Sequence, residues 1–590
     1  MPTNTSLAYV MTPFKSVLLT MIWSSPKNRS TPVGVGRSLI RADIGCLTST
    51  SGKLGREISS RASIQPIPLP VVSWRIHASH AVPPPSPSTK PSPSTKPPPS
   101  HPPEGLVPEP LSEESRRTLR EVALLAAQRV VQIAFGALYV ALIPRAMGPE
   151  TFGQYSTLHT ISLWFSMLSG LGALSMMTRF VPEFVQRNDL PGLRKLCGSL
   201  LTLRLGTATA GALIYFTLVP LWLSDLDRLA VALVSATVAL RVAAGLPFTL
   251  LLGLNLASRW GAAEMLRRIL LFPLTLAGFH YAGLAGACAA PLTVELLLLL
   301  LGLWWTRGYI PPPALPLDRD FLKPYLSFSA VFFAGNLLIM AFQQGGTPLV
   351  RLISGDYAEA GFYTIAFSAY LAGSAALWKL ISGFGALFTS LRLQGRTQEL
   401  AAWSGRLLTG LAIAGVAATA LLYTCAGLVV ARLLGHDYRS VASLLWPLGI
   451  AGIFAGPASL ARVLAVSFNL GRVSNIGAAV QLLVFGALGW LLIPLQGGMG
   501  ACWAVLAATA VYSIYTMRQV RAELDFPLLP WLECLLWGAL LSPLAWAWPA
   551  AGPLRLLAFL TAFALALLAR RLIRPADARV LLDALRGSRA

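Results

Sequence analysis

The chain has 590 residues, 55% of them hydrophobic and only 12% charged, with a mean hydropathy of +0.62 and a formal net charge of +22. Soluble domains carry about 25% charged residues, so this composition excludes an ordinary water-soluble enzyme and indicates a polytopic membrane protein. The six cysteines show neither C-x-x-C nor histidine spacing, which leaves no metal site and no disulfide framework.

Residues 1–112 stand apart, with eleven Lys/Arg against four Asp/Glu and the direct repeat "PSPSTKPSPSTKPPPS" at 85–100, which cannot bury a core. A disordered, basic, Pro/Ser-rich tail is expected there. The apolar run "SVLLTMIW" at 16–23 follows Lys15, but no convincing small-residue cleavage pattern comes after it. A dispensable tail or a misassigned start is the favoured reading.

From Leu119 onward, apolar stretches of about 20 residues, the length that crosses a bilayer core, recur with little between them. Fourteen are predicted, at 122–146, 155–178, 197–223, 229–254, 266–283, 284–305, 326–350, 360–388, 407–431, 441–466, 474–494, 497–517, 528–550 and 553–570. The flanks and alternate connections on one side hold 25 Lys/Arg, from Arg116 to the basic C-terminal tail, whereas the other side holds only Arg145, Arg228, Arg351, Arg432, Arg439 and Arg555. Cations collect on the cytoplasmic face, so both termini are expected inside. The net charge then follows from topology and the tail, not from nucleic-acid binding.

Four short stretches recur in the same order. "GQY" at 153–155 returns as "GFY" at 361–363, "SGLGAL" at 169–174 as "SGFGAL" at 382–387, "NLASR" at 255 as "NLGR" at 469, and "GLAGACAA" at 283–290 as "GGMGACWA" at 497–504. The offsets are 208, 213, 214 and 214. This marks duplication of a unit six spans long, and parallel repeats are related by an axis along the membrane normal. The expected organisation is a tail (1–112), a six-helix lobe (113–306), a second lobe (307–519), and two further spans with a cytoplasmic tail (520–590). Within "SGLGAL", Ser169 and Ala173 are small residues four apart, the spacing that lets helices approach closely.

The stretch "LIPRAMGPETFGQYSTLHTISLWFSMLSGLGALSMMTRFVPEF" (142–184) resembles the opening of polysaccharide-type flippases of the multidrug/oligosaccharidyl-lipid/polysaccharide exporter superfamily. "LLGHDYRSVASLLWPLGI" (433–450) and "LLIPLQGGMGACWAVLA" (491–507) resemble the second lobe of the same family. The resemblance covers roughly residues 115–520. It implies an all-α, MATE-like integral membrane fold and a V-shaped, two-lobe, alternating-access carrier. The implied substrate is a polyprenyl-diphosphate-linked oligosaccharide, moved across the bacterial cytoplasmic membrane for cell-surface polysaccharide biosynthesis such as lipopolysaccharide. Membrane lipid, and other polysaccharide-assembly proteins, are the implied partners, with no cofactor and no nucleic acid.

Ionisable groups inside spans mark function by default, because a cation at mid-bilayer costs about 2.5–3.5 kcal/mol on insertion scales. Arg129, Arg204, Arg241, Lys379 and Arg462 lie within spans; Gln128 and Gln132 flank Arg129, and Asn336, Gln343 and Gln344 share a face of the seventh span at comparable depth. Arginine suits phosphate oxygens, so Arg129, Arg204 and Arg241, with these amides and Lys379, are candidate substrate-binding residues. Each could equally be a structural ion pair or carbonyl cap. Glu295 is the one carboxylate deep in a span. It is a candidate for ion coupling, or a partner that neutralises Arg241 or Arg204.

Other classes fit less well. A membrane polymerase or glycosyltransferase needs acidic groups in a sizeable outer loop, and no outer connection exceeds about a dozen residues. A P-loop is absent. A drug/cation antiporter is the alternative carrier, but buried arginines would repel cationic drugs.

Overall fold

A computed structural model describes residues 128, 131–132, 134–313, 318–546, 552–570 and 572. All of them fall in the unit Gly105–Ala590. The tail expected over 1–112, Arg129 and the end of the C-terminal tail lie outside the described residues.

The regular elements among the described residues are helical. In chain order they are α1 (Ala134–Met147), α2 (Pro149–Gly170), α3 (Ala173–Gln186), α4 (Leu190–Trp222), α5 (Arg228–Gly253), α6 (Ala257–Thr306), α7 (Arg319–Ser354), α8 (Tyr357–Ser382), α9 (Gly385–Leu393), α10 (Thr397–Leu433), α11 (Arg439–Ser467), α12 (Gly471–Gln496), α13 (Gly498–Arg521), α14 (Leu529–Trp546) and α15 (Gly552–Ala569). Ten stretches, with α2–α3 and α8–α9 each taken together, are long and apolar enough to cross a membrane, or eleven if α7 counts despite its 44° bend. α6 runs for 50 residues but breaks at Ala282 and Gly283, where the hydropathy minimum was read as a boundary between two spans. With α6 divided there, and with α7 and the shorter α1 and α14 counted, fourteen segments result, in register with the hydropathy reading.

The duplication is visible in the backbone. Gly283 (φ 57, ψ −139) and Gly497 (φ 56, ψ −134) share a conformation open essentially to glycine, and Asn255 (φ 59) and Asn469 (φ 58) share a left-handed one. Both pairs are separated by the 214 residues found between the matching motifs.

The repeated hexapeptide does more than pack helices. Spans two and eight were expected as continuous helices, yet each breaks within it: α2 ends at Gly170 and α3 starts at Ala173, while α8 ends at Ser382 and α9 starts at Gly385. In the first copy Leu171 and Gly172 turn left-handed (φ 50 and 67), and the carbonyl freed at Leu171 accepts a 2.7 Å hydrogen bond from Ser329 Oγ of α7. Ser169 does pack as expected: a Cβ on Gly211 of α4 would lie 2.1 Å from its Oγ.

The two copies meet where α2 crosses α8. A Cβ on Gly153 would lie 1.8 Å from the Tyr357 carbonyl oxygen, and one on Gly361 would lie 2.9 Å from that of Pro149. Each glycine and its partner are exchanged by the same offset of 208, the reciprocal contact that a two-fold relation requires. Only residues without a side chain let the backbones come this close. α5 packs on α2, α3, α4 and α6, and α11 on α8, α10 and α13, whereas α14 and α15 rest on α10.

One hydrophobic core, from Ile143 and Phe152 through Tyr363 and Tyr438 to Ala508, runs through both copies at the end where α2 meets α8. At the opposite end the cores are separate, one around Met176, Leu200 and Leu250 and another around Phe388, Leu408 and Leu464. The first end is therefore sealed between the copies, while at the opposite end α7 of the second copy bridges to the first through Ser329 and Leu171, Lys195 and Asp318, and Phe180 and Tyr325.

Candidate functional site

α5 is apolar except for one cation in its middle. Arg241 follows the helix start at Arg228 by 13 residues, about 20 Å at 1.5 Å per residue. Its Nε lies 3.1 Å from Glu295 Oε1, and its Nη1 donates at 3.4 Å to Ser162 Oγ, whose own proton goes to the His159 carbonyl. Arg267 Nη1 reaches the same Glu295 oxygen at 3.1 Å. Glu295 is 2% exposed, and its second oxygen has no hydrogen-bond partner among the described residues. A carboxylate shared by two guanidinia is an ion-pair hub, so the neutralising reading of Glu295 holds for Arg241, with Arg267 in the place considered for Arg204.

Arg204, on α4, is 7% exposed, and its Nε and Nη1 have no hydrogen-bond partner among the described residues. It fits because two glycines face it: a Cβ on Gly245 would lie 3.0 Å from Nη2, and one on Gly170 would lie 3.5 Å away. Gly245 is one turn beyond Arg241 on the same face of α5. Arg204 thus enters the Arg241 face about 6 Å farther from the sealed end, without a carboxylate of its own. His159 stacks on Tyr155 at 6.0 Å. Glu264 stands 3.8 Å from Arg267 Nε. Among the described residues, Arg204, Arg241 and Arg267 therefore stand with Glu264 and Glu295 inside the first lobe, an excess of positive charge.

The sequence of this region is similar to that of a known family. Residues 118–388 match the profile of a family described as polysaccharide biosynthesis protein. No curated protein matches the chain in sequence. Among solved structures, the lipid II flippase MurJ in its inward closed conformation is similar at 12% identity and a TM-score of 0.60, covering 77% of this chain and all of that one. An inward-facing multidrug resistance MATE family transporter of the MOP superfamily is similar at 14% identity and a TM-score of 0.54, covering 67% of this chain and 94% of that one. At such identities the likeness is one of fold, the two-lobe arrangement of these transporters.

The matched stretch contains the arginine cluster and all the other candidates. Gln128 is buried, with its Oε1 2.7 Å from where a Gly261 Cβ would be, on the α6 face that also bears Glu264 and Arg268. Gln132 is half-buried one turn on. Asn336 and Gln343 are exposed on α7, and Gln344 offers its carbonyl to Trp164 Nε1 at 3.1 Å. Among the described residues, none of these three is hydrogen-bonded to the cluster. Lys379 is exposed near the end of α8, also apart from it. Its neighbour Trp378 carries Arg462 over its ring at 4.4 Å and lines a cavity of about 810 Å³ with Ser382, Thr389, Gln394 and Ser467, at the end where the copies are not fused.

Sequence reasoning missed Arg267 and Arg268, which it assigned to a connection. The fifth span was started at 266, but α6 starts at Ala257, directly after the left-handed Asn255, and so carries Arg267 ten residues into the helix. The "NLASR" motif was the signal for that earlier start. Ser162 and His159 had no signal: only the crossing of α2 with α5 gives them a role.

Proposed function

We propose that the protein is a flippase that moves a polyprenyl-diphosphate-linked oligosaccharide across the bacterial cytoplasmic membrane by alternating access, in cell-surface polysaccharide biosynthesis. The observation that carries this reading is the uncompensated Arg204 beside the Arg241–Glu295–Arg267 hub. A buried guanidinium without a counter-ion is costly, and a diphosphate supplies the missing charge with the planar, bidentate geometry arginine prefers. The polysaccharide family and the lipid II flippase among the similar folds support the same substrate class.

The distribution of cations favours the sealed end as extracytoplasmic, with both termini inside. Arg204, the cation farther from the seal, meets the diphosphate first, and Arg241 and Arg267 lie one turn beyond. Glu295 spaces and orients those two guanidinia. A cationic-drug antiporter is disfavoured, because the interior carboxylates, Glu264 and Glu295, already face arginines.

The test is transport of a fluorescent polyprenyl-diphosphate oligosaccharide in proteoliposomes. Arg204→Ala is expected to insert at normal or higher abundance, because it relieves an insertion cost of about 2.5–3.5 kcal/mol, and to lose transport. Arg204→Lys keeps a point charge and should retain part of it. Undiminished transport by Arg204→Ala would overturn the reading.

A further inference from the structure

The end where the copies meet carries two clasps that no part of the substrate reading requires. The α4–α5 connection, "LSDLDR" at 223–228, and its repeat counterpart "LGHDYR" at 434–439 are 211 residues apart, and each reaches across to the other lobe. From the first, Asp225 Oδ2 accepts from Arg351 Nη2 at 2.8 Å and Oδ1 accepts from the Tyr357 hydroxyl at 2.9 Å, while the Arg351 guanidinium lies 3.9 Å over the Tyr357 ring. From the second, the Tyr438 hydroxyl donates at 2.7 Å to the Pro144 carbonyl. Arg351 ends α7, Tyr357 starts α8 and Pro144 is in the last turn of α1, so each loop grips the corner of the opposite repeat.

We propose that Asp225, Arg351 and Tyr357 form a polar latch that holds the extracytoplasmic end closed and must part for the cargo to leave. The two clasps occupy equivalent places but differ in kind. The Tyr438 bond is neutral and buried, with Tyr438 1% exposed. The Asp225 clasp is ionic, and the Asp225 side chain is 50% exposed. With Asp225 half exposed and Arg351 at 14%, the pair sits at the rim, and such a pair makes and breaks with less desolvation than a buried one. It therefore suits a contact that must cycle once per transport event. Behind it, the α2–α8 glycine crossing supplies close contact but no polar bond. The latch thus supplies the specificity of closure, and the glycines supply its fit.

The inference rests on reading the chain as a carrier whose lobes alternate, but not on the identity of the cargo. The test uses the full chain with Cys46 and Cys425 changed to Ser, the remaining cysteines being buried. Spin labels go on Arg228→Cys of the first lobe and Arg432→Cys of the second, and the distance distribution is measured in lipid vesicles. Asp225→Asn with Arg351→Gln should raise the ratio of separated to closed populations about fivefold, the worth of an exposed pair. An unchanged distribution overturns the latch. A second arm joins Asp225→Cys to Arg351→Cys with a short bifunctional methanethiosulfonate. Transport should stop on cross-linking and resume on reduction, and continued transport by the cross-linked protein also overturns it. The distance measurement needs no substrate, so it stands if the diphosphate reading fails.

Discussion

Glu295 is the point at which the site is most exposed to a quantitative test, because two arginines depend on one oxygen. Glu295→Gln keeps an acceptor at that position but removes the charge opposite Arg241 and Arg267, each at 3.1 Å. Breaking a buried pair costs about 3–5 kcal/mol, and the retained amide oxygen places this variant near 3 kcal/mol, on the order of the lower bound of that range. Arg241→Ala is milder. It leaves Glu295 with Arg267 and forfeits the hydrogen bond to Glu295 and the longer one to Ser162, together about 2 kcal/mol with the first dominant. With both changes, the Arg241 contact is lost only once, so the double variant should be about 1–2 kcal/mol more stable than the sum of the singles. Reversible unfolding in mixed micelles of rising SDS mole fraction, followed by tryptophan fluorescence, gives the three values. Arg241→Ala as damaging as Glu295→Gln, or strict additivity, would refute the shared-carboxylate arrangement. If Glu295 instead couples transport to protons, Glu295→Gln should abolish the response of transport to an imposed pH gradient, and an unchanged response leaves the ion-pair role alone.

Gly153→Val should fold, since the cores around Met176 and Phe388 lie away from the crossing, but its Cβ would stand 1.8 Å from the Tyr357 carbonyl oxygen; the spin-label distance is expected to lengthen, and an unchanged distance would show that the crossing tolerates a side chain. The Asp225 carboxyl is affected by partial burial, which raises its pKa, but the hydrogen bonds from Tyr357 and Arg351 outweigh this and hold it below the usual carboxylate range. A depressed pKa means that the latch is fully present above the ordinary carboxyl value of about 3.9 and is lost as pH falls through the lower, folded value. Titrating the separated population from pH 6 to pH 3 (assay settings, about two units around that value) should therefore show opening only at the acid end, and less of it in Asp225→Asn. Reporter fusions after Asp189, Asp320 and Arg574 should read cytoplasmic and those after Asp227 and Asp437 external, whereas an external signal after Asp320 contradicts the six-plus-six topology.

Much of the architecture was legible because its determinants are one-dimensional. Bilayer thickness fixes span length, and a duplicated unit repeats its special backbone positions at a constant offset, so Gly283 and Gly497, or Asn255 and Asn469, announce themselves by spacing. The break inside "SGLGAL" was not legible: small residues serve close packing and helix interruption alike, and the choice depends on Ser329 arriving from α7 to bind the freed carbonyl. The same limit applied to the site. The sequence identified Arg204, Arg241 and Glu295 as costly groups in an apolar setting, since desolvation depends on depth alone. Which of them pair was decided only by the packing of α4, α5 and α6, because Coulomb energy depends on distance across helices and not along the chain. That packing joined Glu295 to Arg241 and Arg267, left Arg204 between two glycines without a counter-ion, and set Asp225 against Arg351 and Tyr357, residues more than a hundred positions away.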